Sequence, residues 1–260
     1  MSYRTTLLGS AIHRTKPISF IFDGRSMTGY YGDTLASALL ANGVRIVGRS
    51  FKFHRPRGIM SAGVEEANAF VHLIAPYEES NAQATSVRLV DGLEARSVHA
   101  WPSVRFDVLS GLQMLSRILP AGFYYKTFIG RGGNRWPYFE SMIRKLAGLG
   151  PVPKISDPLP SETRYSHVDI LVVGAGPAGL AAAETVAKSG ASVMLVEDML
   201  TSYPEQAEAF RRLDQLTNVR VLQPAAATGI YHDRMVIIHE REPQELFLRD
   251  RVWKVRAKCI

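Results

Sequence analysis

Cysteine is almost missing from this sequence. Its one thiol, Cys259, cannot form a disulfide within the chain, which fits a reducing compartment and predicts a cytoplasmic protein. With no base identified beside it, Cys259 reads as an inert strand residue rather than a nucleophile. Long apolar runs are missing too. "AAAETVAKSG" breaks off in charged residues, so no segment reaches the length of a bilayer span and no membrane contact is expected. The opening "MSYRTTLLGSAIHRTK" has only a short apolar stretch and no cleavage site, which argues against a signal peptide. His13, His54, His72, His99, His167, His232 and His239 show no metal-ligand spacing with one another or with cysteine, so no metal site is assigned. A nucleophile–base constellation is lacking as well. His54 and His72 read as packed or exposed histidines, and Glu65, Glu66 and Glu184 as solvated carboxylates. No catalytic residue is assigned.

What is present is the composition of a folded globular chain, 46% hydrophobic and 21% charged. A length of 260 residues allows one large domain or two medium ones. The net charge of +7 concentrates only at "GRSFKFHRPRG", residues 48–58, with no nucleic-acid module around it. An anionic cofactor or an acidic partner subunit accounts for the charge, and nucleic acid ranks low.

Residues 17–44 read as a hairpin and a helix. Ile18, Phe20 and Phe22 alternate, Asp23-Gly24 supplies the turn, and a second strand runs through Met27. Asp33 or Thr34 caps a helix through Leu35, Ala38, Leu39 and Leu40 that ends at Gly43. "NAFVHLI" (68–74) and "TSVRLV" (85–90) read as further strands, and the whole as a small β-grasp domain over 1–95. Residues 96–166 form a loop- and helix-rich connector. It carries Trp101, Phe123, Tyr124, Tyr125, Phe128 and Trp136 as staples onto neighbouring domains, a helix in "WPYFESMIRKLAGLG", and a dense set of prolines from Pro151 to Pro160. Residues 167–260 then begin a β-α-β unit. Its later segments "VRVLQ", "MVIIHER" and "LFLRDRVWKVRAKCI" read as strands, the last two as a hairpin.

Within "ILVVGAGPAGLAAAE", Gly174, Gly176 and Gly179 make G-x-G-x-x-G directly between a strand and a helix. Gly174 permits the tight turn, Gly176 lets the backbone approach a pyrophosphate, and Gly179 lets the helix pack close to the strand. Ala175, Pro177 and Ala178 complete the loop, whose helix N-terminus offers N–H groups to phosphate. Glu197, followed by Asp198, closes the next strand, where an acid accepts from ribose hydroxyls and repels a 2′-phosphate. The motif leaves NAD and FAD open and disfavours NADP.

Several long, ordered blocks bear a resemblance to a known family. "FDGRSMTGYYGDTLASALLANGVRIVGRSFKFHRPRGIMSAGVEEANAFV", "LPAGFYYKTF", "NRWPYFESMIRKLAGLG", "VVGAGPAGLAAA" and "DRVWKVRAK" resemble the alpha subunit of heterotetrameric sarcosine oxidase. The resemblance implies oxidative demethylation of sarcosine to glycine, with electrons passing through flavin to oxygen. It implies NAD on the dinucleotide fold, with FAD the alternative, and FMN at the junction with a beta subunit that carries the amine site. Beta and smaller subunits are the implied partners; related opine, proline or glycine oxidoreductase subunits share a similar dinucleotide half.

The first domain of such subunits resembles a two-iron ferredoxin, whose cluster rests on four cysteine thiolates. The corresponding loop, "RPRGIMSAGVEEANAF" (55–70), contains none, and Ser61, Glu65, Glu66 and Asn68 are no substitute for soft thiolates. The expectation is therefore no iron–sulfur cluster and a structural or subunit-docking role. Two departures from the family stand out. Glu197-Asp198 runs into "MLTSYPEQ" without the usual glycines, and the chain reads as truncated, its Rossmann-type domain incomplete after "VWKVRAKCI". The expected fold is thus a cluster-less, ferredoxin-like β-grasp domain (α+β) followed by an incomplete FAD/NAD(P)-binding domain (α/β). As a fragment, the isolated chain is expected to be inactive or a silent assembly module.

Overall fold

Asp23 and Gly24 both adopt left-handed backbone, with φ 49° and 71°. That is the geometry of a two-residue hairpin turn matched to strand twist. It joins β1 (His13–Phe22) to β2 (Arg25–Tyr31) in antiparallel register. The structure is a computed structural model that describes residues 3–5, 12–50, 53–115, 140, 160–199, 204–241 and 250–260. The chain divides into two units, with the main break between residues 156 and 157.

In the first unit the hairpin is followed by α1 (Leu35–Ala41), β3 (Gly48–Arg49), β4 (Pro56–Arg57), β5 (Phe70–Ala75), β6 (Glu79–Gln83) and β7 (Leu93–Ser97). Five of these strands form one mixed sheet in the order β2-β1-β7-β5-β6. Thr34 caps α1 with a reciprocal capping box to Ser37, satisfying N–H groups that the first turn leaves open. Phe20, Phe22, Leu35, Leu39, Val71, Leu73 and Leu93 bury together between helix and sheet. Each such side chain contributes about 1.5–3 kcal/mol by leaving water.

Residues 85–90 are not the expected strand. The Val87 N–H turns back to the Gln83 carbonyl, the Val87 carbonyl receives the Leu35 N–H, and the Leu89 N–H reaches the Asp33 carbonyl. The segment is a turn that seats the start of α1, and its Leu89 packs into the core between helix and sheet, against Gly29 of β2. The strands lie instead at 79–83 and 93–97. Of the expected aromatic staples only Trp101 is among the described residues, where it is exposed. The expected helix over 136–150 and the proline-rich stretch lie outside the described residues, apart from 140 and 160.

The second unit contains β8 (Ser161–Val173), α2 (Pro177–Lys188), β9 (Val193–Val196), α3 (Pro204–Asp214), β10 (Val219–Leu222), β11 (Ala225–Tyr231), β12 (Met235–Arg241) and β13 (Asp250–Cys259). Its sheet runs β10-β9-β8-β13-β12-β11. β10, β9, β8 and β13 are parallel, while β12 pairs antiparallel with both β13 and β11. β9 is buried at every position, as a strand covered on both faces must be. Val193 and Leu195 join the core with Ala183 and Ala187 of α2 and Leu213 of α3. Met194 and Val196 join the other core, with Val236, Ile238 and Trp253 of the β12–β13 hairpin.

Candidate cofactor site

The strand-to-helix turn at the end of β8 has the backbone its glycines foretell. Gly174 sits at φ 96°, in left-handed territory, and donates to the Val196 carbonyl at 2.8 Å. A Cβ on Gly179 would lie 2.0 Å from the Gly174 carbonyl oxygen, so only glycine lets α2 start this close to the strand. A Cβ on Gly176 would meet nothing within 4 Å, which leaves open space on the side from which a pyrophosphate would approach. Gly176 is the N-cap and makes no side-chain cap bond, and Pro177 opens the helix. The N–H groups of Gly176, Ala178 and Gly179 precede the helical ladder, and the positive end of the helix dipole adds to their attraction for an anion.

Ala175 is buried, and both its backbone groups are already used. Its N–H donates to Glu197 Oε2 at 2.6 Å, and its carbonyl accepts from Gln206 Nε2 at 3.0 Å. Glu197 follows β9, and its other oxygen accepts from the Met199 N–H at 2.9 Å. Each carboxylate oxygen keeps a lone pair for a further donor such as a ribose hydroxyl. Asp198 is ion-paired with Arg241 at the end of β12. The structure therefore brings Gly174, Ala175, Gly176, Pro177, Ala178, Gly179 and Glu197 to one place, with Asp198 engaged beside them. Gln206, Gln223 and Arg241 belong to the same neighbourhood without any short-range sequence signal, because their contacts span 31, 24 and 43 residues.

A surface cavity of about 330 Å³ lined by His167, Asp169, Ser192, Arg256 and Lys258 is a different place. Ser192 precedes β9 whereas Glu197 follows it, so the cavity lies at the opposite end of that strand. Lys258 beside Asp169 and the Ser192 donors hold that carboxyl well below the usual carboxylate range.

The loop at 55–70 is built around a carboxylate. Glu66 is 3% exposed, not solvated as expected; only Glu65 is exposed. The Glu66 oxygens accept from the N–H groups of Met60 and Ser61, both at 2.6 Å, and of Asn68 at 2.7 Å. Burial opposes its ionisation, but the N–H donors of Ser61, Met60 and Asn68 outweigh it and hold the pKa below the ordinary glutamate value. His54 is buried, with Nδ1 2.9 Å from Asp107 Oδ2, and Arg49 bridges to the Val104 and His54 carbonyls. Among the described residues no group of three or more His, Cys, Asp or Glu has the geometry of a metal site, and no helix is long and apolar enough to cross a membrane.

Fold and loop together define a chain whose second unit has the Rossmann-type arrangement of a dinucleotide-binding domain. Residues 15–100 match the family described as the 2Fe-2S iron-sulfur cluster binding domain, and residues 167–258 match the FAD binding domain. The chain is 43% identical to the sarcosine oxidase subunit alpha of Rhizobium meliloti (strain 1021) over 98% of its own length and 28% of that protein's. It is 31% identical to the sarcosine oxidase subunit alpha of Corynebacterium sp. (strain U-96), over 97% of this chain and 24% of that one. The resemblance carried by the sequence blocks is thereby borne out, and the chain spans about a quarter of the length of these relatives. Among solved structures it is similar to the L-proline dehydrogenase from P. horikoshii, with a TM-score of 0.53 at 15% identity, covering 98% of this chain and 42% of that one. At that identity the likeness is one of fold.

These matches correct the cofactor expectation. NAD gives way to FAD, because the glycine loop lies inside an FAD binding domain. The motif could not have told them apart, since both present the same ADP moiety to it. The expectation of no iron–sulfur cluster is overturned as well, because the first unit matches a 2Fe-2S cluster binding domain. Within that unit the loop 55–70 offers oxygen donors, and Glu66 is already taken up by three N–H groups. The chain's one thiol, Cys259, stands in the second unit, so these residues do not supply the four-thiolate set such clusters ordinarily use.

Proposed function

We propose that the second unit binds FAD through its ADP moiety. The pyrophosphate would lie against the Gly174–Gly179 loop and the N-terminus of α2, and Glu197 would accept from the adenosine ribose. The open space over Gly176 and the bare N–H groups ahead of α2 support this reading. Bound FAD supplies two-electron acceptance; the residues of this chain bind and orient it. The remaining assignments follow the same reading: a β-grasp domain over 1–95, a connector over 96–166 whose last six residues, 161–166, already belong to β8, and the dinucleotide-binding domain over 167–260.

We further propose that the chain serves in the alpha subunit of a cytoplasmic, sarcosine-oxidase-like complex. That complex would demethylate sarcosine to glycine oxidatively, passing electrons through flavin to oxygen, with the amine site on a beta subunit. The observation that carries it is the 43% identity sustained along 98% of the chain. The test is co-purification with a beta subunit, followed by assay of peroxide formation. The expected result is peroxide from sarcosine when the partners are together and none from this chain alone supplied with flavin. Turnover of L-proline in place of sarcosine would overturn the substrate assignment, and peroxide from the isolated chain would overturn the division of labour.

A further inference from the structure

The acidic turn that follows β9 is fastened from the β-meander. Arg241, the last residue of β12, pairs through Nη2 with Asp198 Oδ1 and donates to the Asp198 carbonyl at 3.3 Å. Its own N–H is fixed to the Pro224 carbonyl at 2.9 Å. Gln223, on the same crossover, donates from Nε2 to the Met199 carbonyl at 2.6 Å. Glu197 closes the arrangement by accepting from Met199 and Ala175. Every residue of 197–199 is thus held by a partner outside the turn. The turn carries two adjacent carboxylates and is tied through Glu197 to the Ala175 N–H of the glycine loop, so an uncompensated Asp198 would repel an anionic ligand bound at that loop. Arg241 removes one of those charges and locks the backbone that carries Glu197.

We propose that Arg241 is a positioning residue for the ribose side of the adenine-dinucleotide site, acting through Asp198. The inference rests on the FAD reading of the glycine loop. Its ligand class is an adenine dinucleotide with free ribose hydroxyls, because the turn keeps a net negative charge even with Arg241 in place. A planar guanidinium reaches the Asp198 carboxylate and carbonyl together, whereas a lysine ammonium is a single point charge.

The test is flavin-fluorescence titration of the full chain with FAD, using the wild type, Arg241→Gln, Arg241→Lys, Asp198→Asn and the Arg241→Gln/Asp198→Asn double variant. Arg241→Gln is expected to weaken FAD binding roughly tenfold, the size of one charge-assisted hydrogen bond, with Arg241→Lys in between. In the Asp198→Asn background the same change should cost little more. The deficit of Arg241→Gln should also shrink in salt of about 1 M, where repulsion is screened; a purely structural defect would not respond this way. Thermal unfolding of each variant identifies any that fails to fold, and Arg241→Lys then carries the comparison. Wild-type affinity in Arg241→Gln, or an equal loss with and without Asp198, would overturn this proposal alone. Failure of the wild-type chain to bind FAD would instead overturn the reading beneath it.

Discussion

Glu66 is 3% exposed, with three backbone N–H groups on its carboxylate. Those N–H donors outweigh burial and hold its pKa in the fold below the ordinary glutamate value. A depressed folded value means the stabilisation is fully present above the unfolded pKa and is lost as pH falls through the lower folded one. Glu66→Gln should therefore lower the unfolding midpoint at neutral pH, by a few degrees if one charged hydrogen bond of about 1.5–3 kcal/mol is weakened. The gap to wild type should close as pH falls from the ordinary glutamate range through the lower folded value. Thermal melts from neutral to acid pH check this, and a pH-independent gap would contradict it. Gly179 makes a second residue-scale case. Alanine there would gain about 0.5–1 kcal/mol of helix propensity but would set a Cβ 2.0 Å from a backbone oxygen. Overpacking costs about 1–3 kcal/mol, so Gly179→Ala should lower the denaturant midpoint. The sequence made Gly179 legible through its motif. It could not show Glu66, because a buried glutamate with local N–H donors is spelled like a solvated one.

β12, β13 and the start of β8 are locked by polar groups that no local pattern predicts. Glu240 Oε2 accepts from Trp253 Nε1 at 2.7 Å and from Arg251 Nη1 at 3.2 Å, and Arg251 Nε donates to Glu162 at 2.7 Å. Glu240, Arg251 and Trp253 are all buried. Removing one partner of a buried ion pair costs about 3–5 kcal/mol. Because Arg251 keeps Glu162, Glu240→Ala should fall near the low end, about 3 kcal/mol by chemical denaturation, and a loss well under 1 kcal/mol would contradict the network's role. Where strands alternate or run unbroken in apolar residues, as in β1, β9, β12 and the 168–173 end of β8, they were readable. Residues 161–166, expected in the connector, instead form the first half of β8, because "SETRYS" has no apolar repeat and is held by pairing with β13. β6 ("ESNAQ") and β11 ("AAATGIY") have no such repeat and were missed. Residues 85–90 have the repeat but form a turn, because their backbone groups bond Gln83 and the start of α1 at Asp33 and Leu35 rather than a neighbouring strand.

At the scale of the whole chain, two units carry one identity signal along 98% of the length. The glycine loop, Glu197 and the resemblance to sarcosine oxidase alpha subunits were legible because they are local. Arg241 was not, since it joins Asp198 across 43 residues. The choice between FAD and NAD was beyond the motif, whose glycines meet only the moiety both share. The central claim is that FAD binds at Gly174–Gly179. The direct measurement is equilibrium titration of the purified chain with FAD and, separately, with NAD, in wild type and Gly176→Val. The expected result is saturable FAD binding, weaker or no binding of NAD, and at least a tenfold loss of FAD affinity in Gly176→Val, whose side chain would fill the space the pyrophosphate needs. FAD binding undiminished in Gly176→Val, or NAD bound more tightly than FAD, would contradict it.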